Sequence, residues 1–384
     1  MHFNLSEEHL MIKKAARDFA VNECLPGVIE RDEKMMFPRE QVMKLAELGF
    51  MGMMVSPEYG GAGMDTISYV LAMEEISKID ASVSVCMSVN NSLVTWGLEA
   101  FGNEEQKQKY LTPLAQGQKD GQLYIGAFLL SEPEAGSDAT SQRTTAEDMG
   151  DYYLLNGTKN WITNGSSASV YLVMAQTDVS KGSHGINAFI VEKNWPGVTV
   201  AAKENKLGIR GSDTHTILFN DVKVPKENRI GADGFGFTFA MKTLSGGRIG
   251  IASQALGIAG GAYELALNYS KQRKAFGKEI SQHQAIQFKL ADMATRIEAA
   301  RLLCLKAAYE KDQRLDYTLS SSMAKVYASE TAMWTTVEAV QIHGGYGYVK
   351  EYHVERLMRD AKITQIYEGT SEVQRIVISR SILK

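Results

Sequence analysis

Apolar residues in the first third of the chain recur at the spacing of amphipathic helices. Asn4 is followed three residues later by Glu7, a pattern typical of a capping box at a helix start. The apolar positions after it share a period near 3.6, and they are Ile12, Ala15, Ala16, Phe19 and Ala20. Further helical segments are predicted at 42–48, 66–77, 82–101 and 104–116. The pattern predicts an N-terminal α-helical domain over residues 1–120.

The pattern changes near Gly121, where apolar and polar residues begin to alternate between turn residues. Strands are predicted at 152–155, 170–175, 186–191, 198–201 and 214–224. Asn156-Gly157 predicts a tight hairpin directly after the first of these strands. No helical crossovers separate the strands, and no dinucleotide-binding glycine fingerprint occurs among them. We therefore predict a middle antiparallel β domain over residues 121–230.

Long helical patterns return after residue 231 and continue to the end of the chain. The segments 235–271, 282–312, 319–341 and 352–358 carry periodic apolar faces. Long helices with short connections predict a C-terminal four-helix bundle over residues 231–384. The predicted fold class is therefore α+β and multidomain, in the order helix, sheet, helix.

Composition and charge exclude several classes of partner. The chain has 384 residues, 41 basic and 45 acidic, with a net charge of −4. This balance gives no electrostatic reason to expect nucleic acid or an anionic membrane as a partner. No apolar run reaches membrane-spanning length.

The cysteines and histidines point to a reducing compartment and to no structural metal. Cys24, Cys86 and Cys304 are far apart and are interpreted as buried thiols. The seven histidines form no cluster with ligand spacing. The N-terminus lacks the patterns of a secretion signal or a transit peptide. We expect a cytoplasmic protein, or a mitochondrial-matrix protein if the chain is the processed form of a eukaryotic one.

Glu368 is the strongest candidate for chemistry. It lies between Tyr367 and Gly369, just before a predicted helix that Thr370 or Ser371 can cap. A carboxylate beside an apolar ring in a tight bend is a candidate general base, because partial desolvation raises its pKa toward neutrality. Taken alone, the tetrapeptide at 367–370 is more typical of a solvated glutamate in a loop.

Five motifs in order along the chain make it resemble the acyl-CoA dehydrogenases, flavoenzymes that desaturate acyl-CoA thioesters. They are LSEPEAGSD at 130–138, WITNG at 161–165, QRKAFG at 272–277, QIHGGYG at 341–347 and IYEGTSE at 366–372. The resemblance implies FAD as cofactor and the three-domain layout predicted above. It also implies that Glu368 removes the α-proton of the substrate, while its backbone N–H helps to hold the thioester carbonyl.

The resemblance implies two sets of FAD contacts. The first set belongs to the motifs around residues 131 and 161 and to the stretch after Glu368, and it comprises Phe128, Leu130, Ser131, Gly136, Ser137, Trp161, Ile162, Thr163, Thr370 and Glu372. The second set reaches FAD bound mainly by a neighbouring subunit, and it comprises Arg273, Phe276, Gln284, Gln341, Ile342, Gly344 and Gly345. Sites shared in this way imply a homotetramer built as a pair of dimers. His343 departs from the apolar residue expected there. We interpret it as a histidine behind the site or at its polar edge, with a catalytic role as the weaker alternative.

Substrate contacts are implied for a third set of residues, namely Ser137, Ser245, Arg248, Tyr367 and Gly369. Some members of the family carry their base in the stretch that matches residues 245–248. This chain has Gly247 there, which cannot act as a base. Glu368 is therefore the base that the resemblance predicts.

The function expected from the resemblance is oxidation of a short-chain acyl-CoA, with electrons passed to an electron-transferring flavoprotein. Four alternatives stay open. They are a branched-chain acyl-CoA dehydrogenase, an enoyl-CoA reductase running the reverse reaction, an oxidase that uses oxygen, and a non-catalytic acyl-CoA-binding protein.

Overall fold

The N-terminal region is helical, as predicted. The computed structural model describes residues 4–384. Its first helices are α1 Glu7–Phe19, α2 Val28–Glu33, α3 Arg39–Glu47, α4 Thr66–Ser77, α5 Ala81–Ser88, α6 Trp96–Phe101, α7 Glu104–Gln106 and α8 Thr112–Gln116. The predicted cap at Asn4 is wrong, because the Ser6 side chain accepts the backbone N–H of His9 and His9 completes the capping box. A π-helical segment, Val89–Thr95, joins α5 to α6 without a break.

The middle region is a sheet. Its strands are β1 Gln118–Lys119, β2 Gln122–Leu123, β3 Gly126–Leu129, β4 Thr145–Asp148, β5 Tyr152–Thr163, β6 Val170–Gln176, β7 Ile186–Glu192, β8 Val198–Lys203, β9 Thr214–Pro225 and β10 Arg229–Ile230. The main sheet has the order β10-β7-β6-β4-β5-β9-β8, with β3 also paired to β6. Most pairs are antiparallel as predicted, but β6 pairs in parallel with both β3 and β4.

The hairpin predicted at Asn156-Gly157 is wrong. Strand β5 runs straight through these two residues, and its pairing with β9 shifts register between Leu155 and Gly157. A side chain at Gly157 would lie 2.5 Å from Thr144 Oγ1, so the glycine marks a bulge where two backbones approach closely. The reversal into β5 occurs earlier instead, at Gly150, which has a φ of +90°.

The C-terminal region is helical. After Ile230 come α9 Gly236–Gln272, β11 Lys274–Ala275, β12 Lys278–Glu279, α10 Gln284–Asp312, α11 Thr318–His343, α12 His353–Ile363 and α13 Ser371–Ile382. The three long helices α9, α10 and α11 pack against one another, and α12 and α13 pack on α11. The predicted order of helix, sheet and helix is confirmed.

Helix α9 is the element that joins the three regions. It packs on α4 and α5 of the N-terminal region and on β7 of the sheet, as well as on α10 and α11. Small residues permit this: a side chain at Gly257 would lie 2.3 Å from the Glu74 carbonyl oxygen. A nearly buried ion pair supports the same arrangement, with Arg301 Nη2 of α10 2.7 Å from Glu74 Oε1 of α4.

The remaining expectations about compartment concern thiols and membranes. Cys24, Cys86 and Cys304 are buried and free, as predicted. Within residues 4–384, no helix combines the length and the apolar character needed to cross a bilayer.

Candidate active site

Glu368 lies in the turn between α12 and α13. Its φ is +51° and that of Gly369 is +92°, so two consecutive residues adopt left-handed conformations. Such a conformation is costly for a non-glycine residue and persists only where the surroundings enforce it. Thr370 caps α13, because its side chain accepts the backbone N–H of Val373. Glu372 follows in the first turn of α13 and is exposed.

One oxygen of the Glu368 carboxylate is enclosed by the protein without a hydrogen-bond partner among residues 4–384. Its Oε2 atom is buried, and no donor among residues 4–384 reaches it. Burial raises the pKa of Glu368 to about 7, while the positive charges of Lys325 and Arg248 act in the opposite direction. A carboxylate with a pKa near neutrality is suited to take up a proton at physiological pH.

Gly247 of α9 lies against one side of this carboxylate. A side chain at Gly247 would lie 2.1 Å from Glu368 Oε2 and 2.7 Å from Leu93 Cδ2. Within the stretch where the resemblance places the base of some family members, residue 247 therefore lies directly against Glu368. The absence of a side chain at residue 247 leaves room for the carboxylate.

Two adjoining cavities meet at Glu368. The first has a volume of about 580 Å³ and the second of about 480 Å³. Eight residues line both cavities, and they are Ser131, Gly136, Ser137, Trp161, Thr163, Tyr367, Glu368 and Gly369. All eight are residues that the sequence predicted for cofactor, substrate or catalysis.

Other predicted residues line one of the two cavities. Phe128, Leu130, Ile162 and Arg248 line the first, and Thr370 lines the second. Ser245 lines neither cavity, since it is nearly buried and its hydroxyl donates to the Met241 carbonyl oxygen.

Trp161 has an unusual conformation for a tryptophan in a strand. Its φ is +59°, and 54% of its surface is exposed although both cavities lie against it. Ile209, which lines the second cavity, has a φ of +42°, a genuine outlier for a β-branched residue. Strained backbone at Trp161, Ile209 and Glu368 therefore concentrates around one site, as is common where a ligand is held.

The second predicted set lies elsewhere on the chain. Arg273, Ile342, Gly344 and Gly345 line a separate cavity of about 580 Å³ that contains no residue of the Glu368 site. Gln341, Phe276 and Gln284 are exposed, and the exposed fraction of Phe276 is 96%. Within one chain, the two predicted sets are therefore not brought together.

His343 forms part of this separate cavity and is buried. Its ring stacks on Tyr269 with centroids 4.2 Å apart, and its Nδ1 lies 2.8 Å from the Ala339 carbonyl oxygen. Burial lowers the pKa of His343 below its ordinary value. His343 therefore lies in an aromatic stack beside the separate cavity, and it does not line either cavity at Glu368.

The sequence interpretation missed several residues of the site. The apolar ones are Val89, Leu93, Phe237, Met241 and Leu244, which line the first cavity. Two others are buried polar side chains, Gln254 and Lys325, which contact Tyr367 and Gly369. The only signal for Lys325 was a single lysine among small residues in the middle of an apolar helix.

Three family models match the chain. They are the N-terminal domain of acyl-CoA dehydrogenase at residues 6–118, its middle domain at 127–222 and its C-terminal domain at 234–383. The chain belongs to the acyl-CoA dehydrogenase family. Acyl-CoA dehydrogenases are oxidoreductases that use FAD, so this protein is an oxidoreductase with FAD as cofactor.

Three relatives that match the chain over nearly its whole length are two dehydrogenases and one subunit of a reductase complex. The short-chain specific acyl-CoA dehydrogenase of Clostridium acetobutylicum is 50% identical over 384 residues, which cover 100% of both chains. The solved structure of butyryl-CoA dehydrogenase from Megasphaera elsdenii is 50% identical, covers 100% of both chains and has a TM-score of 0.97. Subunit CarC of the caffeyl-CoA reductase–Etf complex of Acetobacterium woodii is 49% identical over 99% of each chain.

The residues around Glu368 fit the cofactor of the acyl-CoA dehydrogenase family. A flavin needs an aromatic or apolar surface for its ring and hydrogen-bonding groups for its edge. The exposed face of Trp161 and the hydroxyls of Ser131 and Thr163 lie together on both cavities. Gly344 and Gly345 border open space in the separate cavity. If either carried a Cβ atom, no heavy atom of residues 4–384 other than its chain neighbours would lie within 4 Å of it. A phosphate therefore has room to approach the backbone there.

Proposed function

We propose that this chain oxidises a short-chain acyl-CoA to the trans-2-enoyl-CoA, with Glu368 removing the α-proton. One observation carries the proposal: the Oε2 atom of Glu368 is buried and unpartnered at the junction of two cavities. A pKa raised to about 7 makes this carboxylate a competent base at neutral pH.

The α C–H bond of a thioester is weakly acidic, so the carbonyl oxygen needs fixed donors as negative charge develops on it. The backbone N–H of Glu368 makes no hydrogen bond within residues 4–384 and is available for this purpose. Arg248, on the same cavity, also has a buried Nε without a partner. The cofactor, when bound, accepts the β-hydrogen as a hydride.

Three residues are proposed to hold the flavin. Trp161 supplies the surface for the ring, and Ser131 and Thr163 supply hydroxyl donors for its edge. Their support is their common position on both cavities beside Glu368. The short-chain preference is supported by the names of the relatives from Clostridium acetobutylicum and Megasphaera elsdenii.

Anaerobic titration of the purified holoenzyme with acyl-CoAs tests this function. We expect butyryl-CoA to bleach the flavin absorbance at stoichiometric amounts, and hexanoyl-CoA and octanoyl-CoA to bleach it progressively less. Stronger bleaching by isobutyryl-CoA would indicate a branched-chain enzyme. If no acyl-CoA bleaches a flavin that dithionite still reduces, the proposed oxidation is wrong. Reoxidation of the dithionite-reduced flavin by crotonyl-CoA would then support a reductase, and no reoxidation would support a non-catalytic binding role. Peroxide formation under air would support an oxidase.

An enoyl-CoA reductase is the second candidate function. The relative from Acetobacterium woodii, subunit CarC, belongs to a reductase complex with an Etf. The same residues serve both directions, because proton transfer at Glu368 is reversible. The redox potential of the bound flavin distinguishes the two directions: a potential well below that of the enoyl-CoA/acyl-CoA couple supports the reductase.

An electron-transferring flavoprotein is the proposed redox partner, and a homotetramer is the proposed assembly. Support for the partner is the Etf in the name of the CarC complex. Support for the assembly is the separation of the two predicted FAD sets, since a second chain has to supply the set around Arg273 if both sets contact one cofactor.

Replacing Arg273 with alanine is expected to lower both FAD content and tetramer content. Arg273 is exposed, and its guanidinium lies 5.5 Å from the Tyr346 ring centroid. Within residues 4–384 its side chain makes no hydrogen bond or ion pair, so its donors can bind a phosphate from outside the chain. Flavin per protein and light-scattering mass measure the two effects. Lys274→Ala removes the same charge from the next residue and should change neither quantity. Full flavin and an intact tetramer in Arg273→Ala would contradict the shared site.

A further inference from the structure

Lys325 is a fully buried lysine in the middle of α11, and its exposed fraction is 0%. Its only hydrogen bond within residues 4–384 goes from Nζ to the Gly369 carbonyl oxygen, at 2.6 Å. Burying an ammonium group that has one carbonyl acceptor is unfavourable unless a negative charge compensates. The compensating charge for Lys325 therefore has to be sought around the Gly369 turn.

The Gly369 turn is held from two sides. Lys325 of α11 anchors the Gly369 carbonyl from one side. Gln374 of α13 anchors it from the other, because its Nε2 lies 3.0 Å from the Gly369 carbonyl oxygen and 3.2 Å from the Glu368 carbonyl oxygen. These bonds stabilise the left-handed conformations of Glu368 and Gly369 that aim the carboxylate at the cavity.

Few charged groups lie around Lys325 and Glu368. Lys325 opposes the effect of burial on the pKa of Glu368 more strongly than Arg248 of α9 does. Glu368 in turn opposes the effect of burial on Lys325, whose pKa is lowered to about 8. Tyr317 before α11 acts on the pKa of Arg248, and Glu372 of α13 acts on that of Lys325. Tyr69 of α4 and Tyr367 also face the cluster, since the charge of Glu368 raises the pKa of both phenols. Glu372 is exposed, so the partly buried carboxylate of Glu368 is the negative charge that compensates Lys325.

We propose that Lys325 is a positioning residue for the base: its buried ammonium anchors the turn that carries Glu368 and stabilises the deprotonated carboxylate. The inference rests on the proposed role of Glu368. Without Lys325, the turn loses one anchor and Glu368 keeps its proton to higher pH. With Lys325, the carboxylate is available at neutral pH although it is buried.

Infrared spectroscopy of the holoenzyme tests the proposal, because the carboxyl band reports the protonation of Glu368. The Glu368→Gln variant serves as the reference that identifies this band. In the unaltered protein, the carboxyl band should disappear as pH rises through about 7. In Lys325→Met, the midpoint should move upward by about one unit or more, because an opposite charge has been removed. In Lys325→Arg, which keeps the charge, the midpoint should stay near 7. A midpoint that does not move in Lys325→Met overturns the proposal.

The dependence of kcat/KM on pH gives the second readout. Protonated Glu368 is inactive as a base, so kcat/KM rises with pH through the pKa. For Lys325→Met we expect about an eightfold loss at pH 6.5 if the midpoint moves by one unit, a larger loss if it moves further, and recovery of most of that loss at pH 9. An equal loss at every pH would show a structural defect only and would contradict the proposal. If Lys325→Met fails to fold, Lys325→Gln removes the charge while keeping a donor for Gly369, and the same predictions apply.

Lys311→Met is the matched control. Lys311 is a half-buried lysine whose pKa is likewise lowered to about 8, but its Nζ faces the Met54 sulfur at 3.5 Å. Its replacement should leave the Glu368 midpoint unchanged. The infrared midpoint does not depend on turnover, so it tests Lys325 even if Glu368→Gln proves fully active and the proposed function fails.

Discussion

Glu368→Gln is expected to lower kcat for butyryl-CoA by about 10²–10⁴-fold while the flavin stays bound. Removal of a general base typically has an effect of this size. Glutamine has nearly the same shape as glutamate but cannot accept the α-proton, so the cavities and the turn should persist. Steady-state kinetics and flavin content of the same preparation measure both parts of the prediction.

The control is Glu351→Gln, which neutralises an exposed carboxylate outside both cavities. It should behave as the unaltered enzyme. Near-native turnover in Glu368→Gln would show that the base is elsewhere.

The stability of Glu368→Gln provides an independent readout of burial. The pKa of Glu368 is higher in the folded protein than in the unfolded chain, so the folded state loses stability as pH rises from about 4.5 to about 7. The variant lacks this loss and should be more stable than the unaltered protein at pH 8, by at most about 3 kcal/mol. The pKa of about 7 already includes the attraction between Glu368 and Lys325. The difference should vanish near pH 4.5, and thermal unfolding at the two pH values measures it.

Gly247→Ala is expected to reduce kcat/KM by about 10²-fold. The added carbon would lie 2.1 Å from Glu368 Oε2, so the carboxylate has to move away from its position at the junction of the cavities. A displacement of about 1 Å in a catalytic group can cost this much in rate. Stopped-flow reduction of the flavin by butyryl-CoA measures the effect on the chemical step directly.

Gly246→Ala is a matched control for Gly247→Ala. It adds the same methyl group one residue earlier on α9, where the nearest atoms are at 3.7–3.9 Å. Both variants gain helix propensity, worth up to about 1 kcal/mol. Gly246→Ala should therefore keep its activity, and equal losses in the two variants would show that α9 itself had been disturbed.

Local patterns predicted the elements well and their ends less well. The apolar period of 3.6 placed α4, α9, α10 and α11 within a few residues of their observed bounds. Asn4 and Asn156-Gly157 carry local sequence signals that the structure does not follow. Ser6 caps α1 in place of Asn4, and pairing with β9 keeps β5 extended through the expected turn.

The chemistry at Glu368 was predicted only in outline. The motif around residue 368 identified the candidate base and its family. It gave no information about Lys325, which is 43 positions away along the chain and had no motif of its own. The isolated pattern also left a solvated glutamate possible, and only the burial of Oε2 distinguishes the two readings.

The amino-acid sequence by itself determined the order of helix, sheet and helix, the family, and the identity of the candidate base, because periodicity and motifs are properties of neighbouring residues. The tertiary structure alone decided the protonation behaviour of that base and the space around it. The pKa of Glu368 depends on burial and on charges at residues 248 and 325, and its room depends on Gly247 of another helix. These effects depend on how close the groups lie to Glu368 in the folded molecule, and the separation of the residues along the chain does not determine that distance.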